Sequence, residues 1–157
     1  MSTHSTEHAT FVIERSYDSA PERVFAAWAS REAKGAWFGP KEHASDGHEL
    51  DFRVGGQERF AVCLGEEGPR YTYAAHYQDI VPDERIVYTY EMYRDEDRIS
   101  VSVATIEFAP AEGGTALTVT EQGVFLDGHD TSAQREHGTR ELLDTLEVAL
   151  SQAPVSD

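Results

Sequence analysis

Apolar and polar positions alternate with a period of two along most of this chain and switch to a helical period in two places. Residues 10–17 (TFVIERSY) alternate as a first strand. Asp18-Ser19-Ala20-Pro21 then opens a helix, with Pro21 at its first position and Ser19 or Ala20 at the cap. Val24, Phe25 and Trp28 fall at helical spacing and form its buried face. A second short helix, about residues 31–37, stops at Gly39-Pro40. Beyond it the pattern is almost all β, with strands expected at 48–54, 57–64, 70–80, 85–93, 99–108 and 115–125. Their breaks are turn-like: Gly55-Gly56, Glu66-Glu67-Gly68-Pro69, Pro82-Asp83-Glu84, Arg94-Asp95-Glu96-Asp97 and Glu112-Gly113-Gly114. Connections this short predict antiparallel neighbours.

The parity of each strand assigns a face. Ile86, Tyr88, Tyr90 and Met92 share one side of their strand, with Val87, Thr89 and Glu91 on the other. Ala104, Ile106 and Phe108 share a side, as do Leu117, Val119 and Glu121. A sheet with one apolar face needs a cover. The last helix supplies it, with Leu142, Leu143, Leu146, Ala149 and Leu150 on one stripe at 100° per residue. Projected backwards, the same stripe carries Arg135 and Thr139, with Glu136 at its edge and His137 turned away. The helix therefore begins with polar groups where a pure packing helix would carry leucines. A long helix laid across a curved sheet in this way predicts an enclosed space.

Composition narrows what that space serves. The chain of 157 residues suits one domain, expected over 9–152, with loose tails at 1–8 and 153–157. Its net charge of −16 opposes nucleic-acid and anionic-membrane partners. No run approaches the length of a membrane span, and residues 1–8 lack the apolar core of a secretory signal. A single cysteine, Cys63, excludes an internal disulfide and suits the cytoplasm; its mid-strand position predicts a buried, inert thiol.

Five segments carry a resemblance. YDSAPERVFAAWAS (17–30), AWFGP (36–40), DFRVGG (51–56), IVPDERIVYTYE (80–91), and LTVTEQGVFLDGHD with REHGT (117–139) occur in this order. Together they resemble the START-like or Bet v 1-like (SRPBCC) helix-grip superfamily. More narrowly, they are similar to bacterial relatives of the C-terminal domain of the activator of the heat-shock-protein-90 ATPase. The resemblance implies an α+β helix-grip fold. An antiparallel curved sheet of about seven strands wraps a long C-terminal helix, with two short helices after strand one. The superfamily holds lipid carriers, hormone receptors, polyketide cyclases, oxygenase subunits and chaperone activators, so one fold serves many tasks. The broader family usually places tryptophan where this chain has Thr139, so the change should widen the cavity mouth. Chaperone-activating relatives carry a further N-terminal domain for which this chain leaves no room.

Candidate chemistry gathers at the expected cavity. Glu121 on an inward position must be paired, hydrogen-bonded or protonated. Arg135 is its nearest partner in topology, with Thr139 and His129 close by in the chain order. This group either clamps a ligand at one end of an apolar pocket or ties the helix to the sheet as a half-exposed salt bridge. Poor pairing would raise the Glu121 pKa and suit it to proton transfer. The aromatic set is Trp28, Trp37, Phe38, Phe60, Tyr71, Tyr73, Tyr88, Tyr90 and Phe125. These rings are either ligand wall or ordinary core, with Trp28 and Phe25 read as core. The face of His76 and that of Tyr73 stay open; pointing inward, His76 is a candidate base. His4, His8, His43 and His48 read as solvated, and His137 as a surface residue. No metal-ligand spacing, phosphate-binding loop or nucleophile elbow occurs, so neither metal nor cofactor is expected.

Three readings follow. The first is a binding protein for a small apolar, aromatic or lipid-like molecule. Trp37, Phe60, Tyr73, Tyr88, Tyr90, Phe108, Leu117, Val119, Phe125, Leu143 and Leu146 would face it, and Glu121, Arg135 and Thr139 would set its polar end. The second is a cyclase- or hydrolase-type enzyme using Glu121, His76 or a tyrosine hydroxyl. The third is a chaperone-modulating or dimerising module, for which the outer helix face offers Val148 and little else. Homodimerisation through a sheet edge or the helix stays open.

Overall fold

The computed structural model describes residues 4–39, 45–63 and 66–152, without the side chains of residues 45 and 46. Pro40, Lys41, His43, position 64 of the expected third strand, and the tail 153–157 lie outside the described residues. The elements are β1 (Thr6–Tyr17), α1 (Pro21–Ala26), α2 (Arg31–Gly35), β2 (Ser45–Leu50), β3 (Gln57–Cys63), β4 (Arg70–Val81), β5 (Arg85–Arg94), β6 (Asp97–Ala111), β7 (Gly114–Leu126) and α3 (Ser132–Ser151). The seven strands form one antiparallel sheet in the order β1-β7-β6-β5-β4-β3-β2. The curved sheet holds α3 against its concave face, the helix-grip α+β arrangement.

Turn chemistry sets the register. The β4–β5 and β5–β6 hairpins place Asp83 (φ 64°) and Asp95 (φ 55°) in the left-handed region that aspartate tolerates. At the start of β7 the chain passes so close to β1 that a Cβ on Gly114 would lie 1.9 Å from the Tyr17 carbonyl oxygen. Glycine is the side chain that this crossing admits.

Several boundaries differ from the sequence pattern. β1 starts at Thr6, and Thr6, Glu7 and His8 pair with Leu126, Phe125 and Val124. These polar residues, expected in a loose tail, become strand because the longer β7 offers partners for their backbone. β2 ends at Leu50 instead of running to Val54. Residues 51–56 instead fold as a turn, with the Gly56 amide on the Arg53 carbonyl and the Gly55 amide on the Tyr77 carbonyl. α2 is shorter than expected, capped by Ser30 Oγ and ended at Gly35. Cys63 closes β3 half-buried, not buried.

The concave face divides into a filled end and an open one. At the filled end, Phe25 and Trp28 meet Phe108 edge-on, at 5.4 and 6.3 Å between ring centroids. Leu117, Leu143, Leu146 and Leu150 pack there out of solvent. The second half of α3 is also tied down by polar contacts. Tyr17 donates its hydroxyl to the Leu143 carbonyl (3.0 Å), and Arg23 donates to the Leu150 and Gln152 carbonyls at the helix end.

α2 is fixed by a buried ion pair that has no local signature in the sequence. Lys34 donates to Glu58 Oε1 at 2.6 Å, with both side chains 0% exposed. Tyr77 donates to the same oxygen at 2.8 Å, and His48 Nε2 lies 2.7 Å from Oε2. His48, read from sequence as solvated, is therefore held in this cluster, stacked beside Phe38. The Lys34 ammonium also sits 4.3 Å from the centroid of the Phe38 ring. Among the described residues no helix is long and apolar enough to cross a membrane.

A buried charge stripped of its partner is strongly unfavourable. Lys34→Met is expected to lower stability in urea unfolding by about 3–5 kcal/mol. Adding Glu58→Leu should recover more than half of that loss. A single-variant cost below about 1 kcal/mol would contradict the burial of the pair.

Candidate functional site

At the open end a cavity of about 290 Å³ lies between the first half of α3 and the inner faces of β3 to β7. Strand parity builds its floor: Tyr88 and Tyr90 from β5, Ile106 from β6, Val119 and Glu121 from β7. Phe60 and Tyr73 rise from β3 and β4, and Trp37 and Phe38 close the side from the segment after α2. Here Gly39 has φ 101°, and a Cβ on it would lie 2.5 Å from Phe60 Cζ. A glycine thus lets the loop close onto the Phe60 ring. The rings meet at angles: Phe38 with Tyr73 at 5.1 Å and 63°, Phe38 with Phe60 at 5.8 Å and 77°, Tyr73 with Tyr90 at 5.0 Å and 40°.

The roof comes from α3, where Arg135, Thr139, Leu142 and Leu143 face the sheet, and the exposed Gln134 and Gly138 stand at the rim. Thr131 caps this helix, its side chain accepting from the Gln134 amide. The Thr139 hydroxyl donates to the Arg135 carbonyl at 2.9 Å, so its hydrogen bond lies within the helix.

One polar chain joins roof to floor. Arg135 Nη1 donates to Tyr90 Oη at 2.9 Å, and Tyr90 donates to Glu121 Oε1 at 2.7 Å. Arg135 Nη2 reaches Ser100 Oγ and Asp130 Oδ2, both at 2.9 Å. Glu121 Oε2 lies 3.9 Å from Arg135 Nη1 and, buried, has no hydrogen-bond partner among the described residues. Trp28 Nε1 is likewise buried without one, and the buried Tyr73 hydroxyl lies beside Tyr88. Burial pushes the Glu121 carboxyl above its ordinary range, and the Tyr90 hydrogen bond and Arg135 offset this only in part. Burial and the Glu121 charge push the Tyr90 phenol up. Burial also works against the Arg135 charge, but Tyr90, Glu121 and Asp130 hold it above its usual value.

Glu58 behaves in the opposite way. Burial raises its carboxyl, but Lys34 and the bonds from His48, Lys34 and Tyr77 outweigh that and hold it at about 2. Of the two buried carboxylates among the described residues, one is fully paired and one is left partly unpaired, and only the second lines the cavity.

The structure gathers Trp37, Phe60, Tyr73, Tyr88, Tyr90, Val119, Glu121, Arg135, Thr139 and Leu143 around the cavity. Four other expected wall residues do not line it. Phe108, Leu117 and Leu146 belong to the filled end, and Phe125 lies beneath the Arg135 guanidinium, 5.2 Å from its carbon. His76 faces outward and is exposed, since Tyr73, Ala75 and Tyr77 take the inner parity of β4. It is removed from the candidate bases. His129 is exposed in the loop before α3, and His137 is 76% exposed, 2.7 Å from Glu141. Glu121 is 4% exposed, not half exposed at a strand end.

Sequence reading missed Val62, Met92 and Ile106 as lining residues, although they share the parity of Phe60, Tyr90 and Phe108. It also missed Asp130, whose approach to Arg135 depends on the loop before α3, and the whole Lys34–Glu58–His48 cluster.

The protein family described as "Activator of Hsp90 ATPase homolog 1-like protein" matches residues 18–151. Among solved structures, a protein from Rhizobium leguminosarum is 46% identical over 96% of this chain and 99% of its own, with a TM-score of 0.91. One from Rhizobium loti is 43% identical over 92% and 99%, with a TM-score of 0.86. One from Chromobacterium violaceum is 25% identical over 92% and 98%, with a TM-score of 0.79. No functionally curated protein matches the chain.

The two carboxylates predict a characteristic pH dependence. Glu58 has a folded pKa below its unfolded value of 4.5, so its stabilisation is complete above 4.5 and lost as pH falls toward about 2. Glu121 has a folded pKa above 4.5, so the stabilisation that its protonated form gives is lost as pH rises through the folded value. In urea unfolding over a pH series, wild type and Glu121→Gln should both weaken in acid. Only wild type should also weaken as pH rises through the Glu121 value. A stability difference between the two proteins that does not change with pH would contradict the raised carboxyl.

Proposed function

The chain belongs to the family of Activator of Hsp90 ATPase homolog 1-like proteins, within the SRPBCC or Bet v 1-like superfamily, and from that membership and the cavity we propose that it binds a small, mainly apolar molecule, aromatic or lipid-like, between the sheet and α3. The observation that carries this reading is the hollow of about 290 Å³ under the first half of α3. Well-packed interiors leave few voids larger than a water molecule. A hollow of this size with aromatic walls and a few converging polar groups is the usual form of a small-molecule site. We place this activity in the cytoplasm, on the single cysteine.

Glu121 favours a second reading, proton transfer to the bound molecule, because a carboxyl pushed upward in a cavity suits general acid–base work. The same experiment separates the two. Native mass spectrometry of gently purified protein should show a retained molecule. Recovered unchanged after incubation with fresh protein, that molecule supports binding; recovered altered, it supports catalysis.

Thr139→Trp puts a large ring at the roof of the cavity. It should abolish retention while changing stability by no more than about 1–3 kcal/mol, the usual range for added bulk. Wild-type protein that carries no added mass, and whose melting temperature no hydrophobic ligand raises, would contradict the reading.

A further inference from the structure

The polar end of the cavity restricts the chemistry of what it takes. Among the described lining residues Arg135 is the one cation, and it faces two carboxylates, Glu121 and Asp130. Its guanidinium is already engaged by Tyr90, Ser100 and Asp130, and it lies over the Phe125 ring. A ligand carboxylate entering here would meet a committed cation and two like charges. The net charge of −16 on the chain adds to that repulsion.

What the site offers is an acceptor. Tyr90 Oη accepts from Arg135, which directs the Tyr90 proton onto Glu121 Oε1. That leaves Oε2 of a 4% exposed carboxyl 3.9 Å from Arg135 Nη1 and without a hydrogen-bond partner among the described residues, on a side chain that lines the cavity. A buried acceptor left empty is costly, and a donor brought by a ligand removes the cost. The Tyr73 hydroxyl, beside Tyr88, gives the same cavity a second polar group. Phe38, Phe60 and Tyr73, packed edge-to-face at 5.1 to 5.8 Å, line the same cavity and give a flat aromatic body apolar rings to pack against.

Resting on the binding reading above, we propose that the ligand is a neutral aromatic molecule with a hydroxyl or N–H donor that bonds to Glu121 Oε2, and that the site discriminates against carboxylate-bearing ligands such as fatty acids. Arg135 acts here as a positioning residue that orients Tyr90 and Glu121.

Equilibrium dialysis with three matched probes tests this: 2-naphthol, naphthalene and 2-naphthoate, near neutral pH. One hydrogen bond to a charged acceptor is worth a factor of roughly ten or more, so 2-naphthol should bind at least about tenfold tighter than naphthalene. It should exceed 2-naphthoate by a larger factor. Glu121→Gln keeps an acceptor and removes the charge. It should hold 2-naphthol within about threefold and shrink the handicap of 2-naphthoate. Glu121→Met removes both and should bring 2-naphthol down to naphthalene while naphthalene is unchanged. Because the Gln and Met variants are read on ratios between probes, partial loss of folded protein does not imitate either result. Equal binding of 2-naphthol and naphthalene to wild type, or tighter binding of 2-naphthoate, overturns the donor proposal and leaves the cavity reading standing. Failure of all three probes to bind overturns both.

Discussion

One helix cannot both seal a concave sheet with leucines and carry a half-buried arginine at the same depth. α3 does the first in its second half and the second in its first half, and the cavity follows from the change. Leu143, Leu146 and Leu150 bring the helix down onto Phe108 and Leu117. Nearer the start of the helix, Arg135 needs partners, because a buried guanidinium without them is strongly unfavourable. It finds them in Tyr90, Ser100 and Asp130, and that polar chain holds the helix start over the sheet at a set height. The space between is too wide for Thr139 to fill and is left to the aromatic walls.

The opposite wall is fixed by a second ionic group. Lys34 and Glu58 join α2 to β3 among the rings of Trp28, Phe38, Tyr73 and Tyr88. Phe38, Tyr73 and Tyr88 also face the cavity, together with Phe60. The Lys34–Glu58 pair therefore gives the aromatic wall a rigid backing, and the Glu121 group gives the polar end a partly open valence. Similar residues are fully paired in one place and partly unpaired in the other, and the difference lies in how many partners each carboxylate has.

The fold was legible because it is written in periods. Strand parity placed Tyr88, Tyr90, Val119 and Glu121 on the inner face, and the helical wheel placed Arg135 and Thr139 above them. Tyr71, Tyr73 and Tyr77 share one parity of β4 and His76 the other; which parity faces inward is decided by the pairing with β3 and β5. Phe108, Leu117 and Leu146 share the inner face with the lining residues but lie further along it, and distance along a strand has no periodic mark. The Lys34–Glu58 pair was hidden for a related reason. Its members stand 24 positions apart, and each alone reads as a solvated charge.

The claim beneath all of this is that an apolar hollow persists between the first half of α3 and the sheet. Xenon settles into dry apolar cavities of protein interiors, so crystals under xenon pressure test the claim whatever the natural ligand is. Xenon density bounded by Tyr73, Val119 and Leu143 is the expected result. A structure in which Trp37, Phe60 and Leu142 close together there, and no xenon enters, would contradict it.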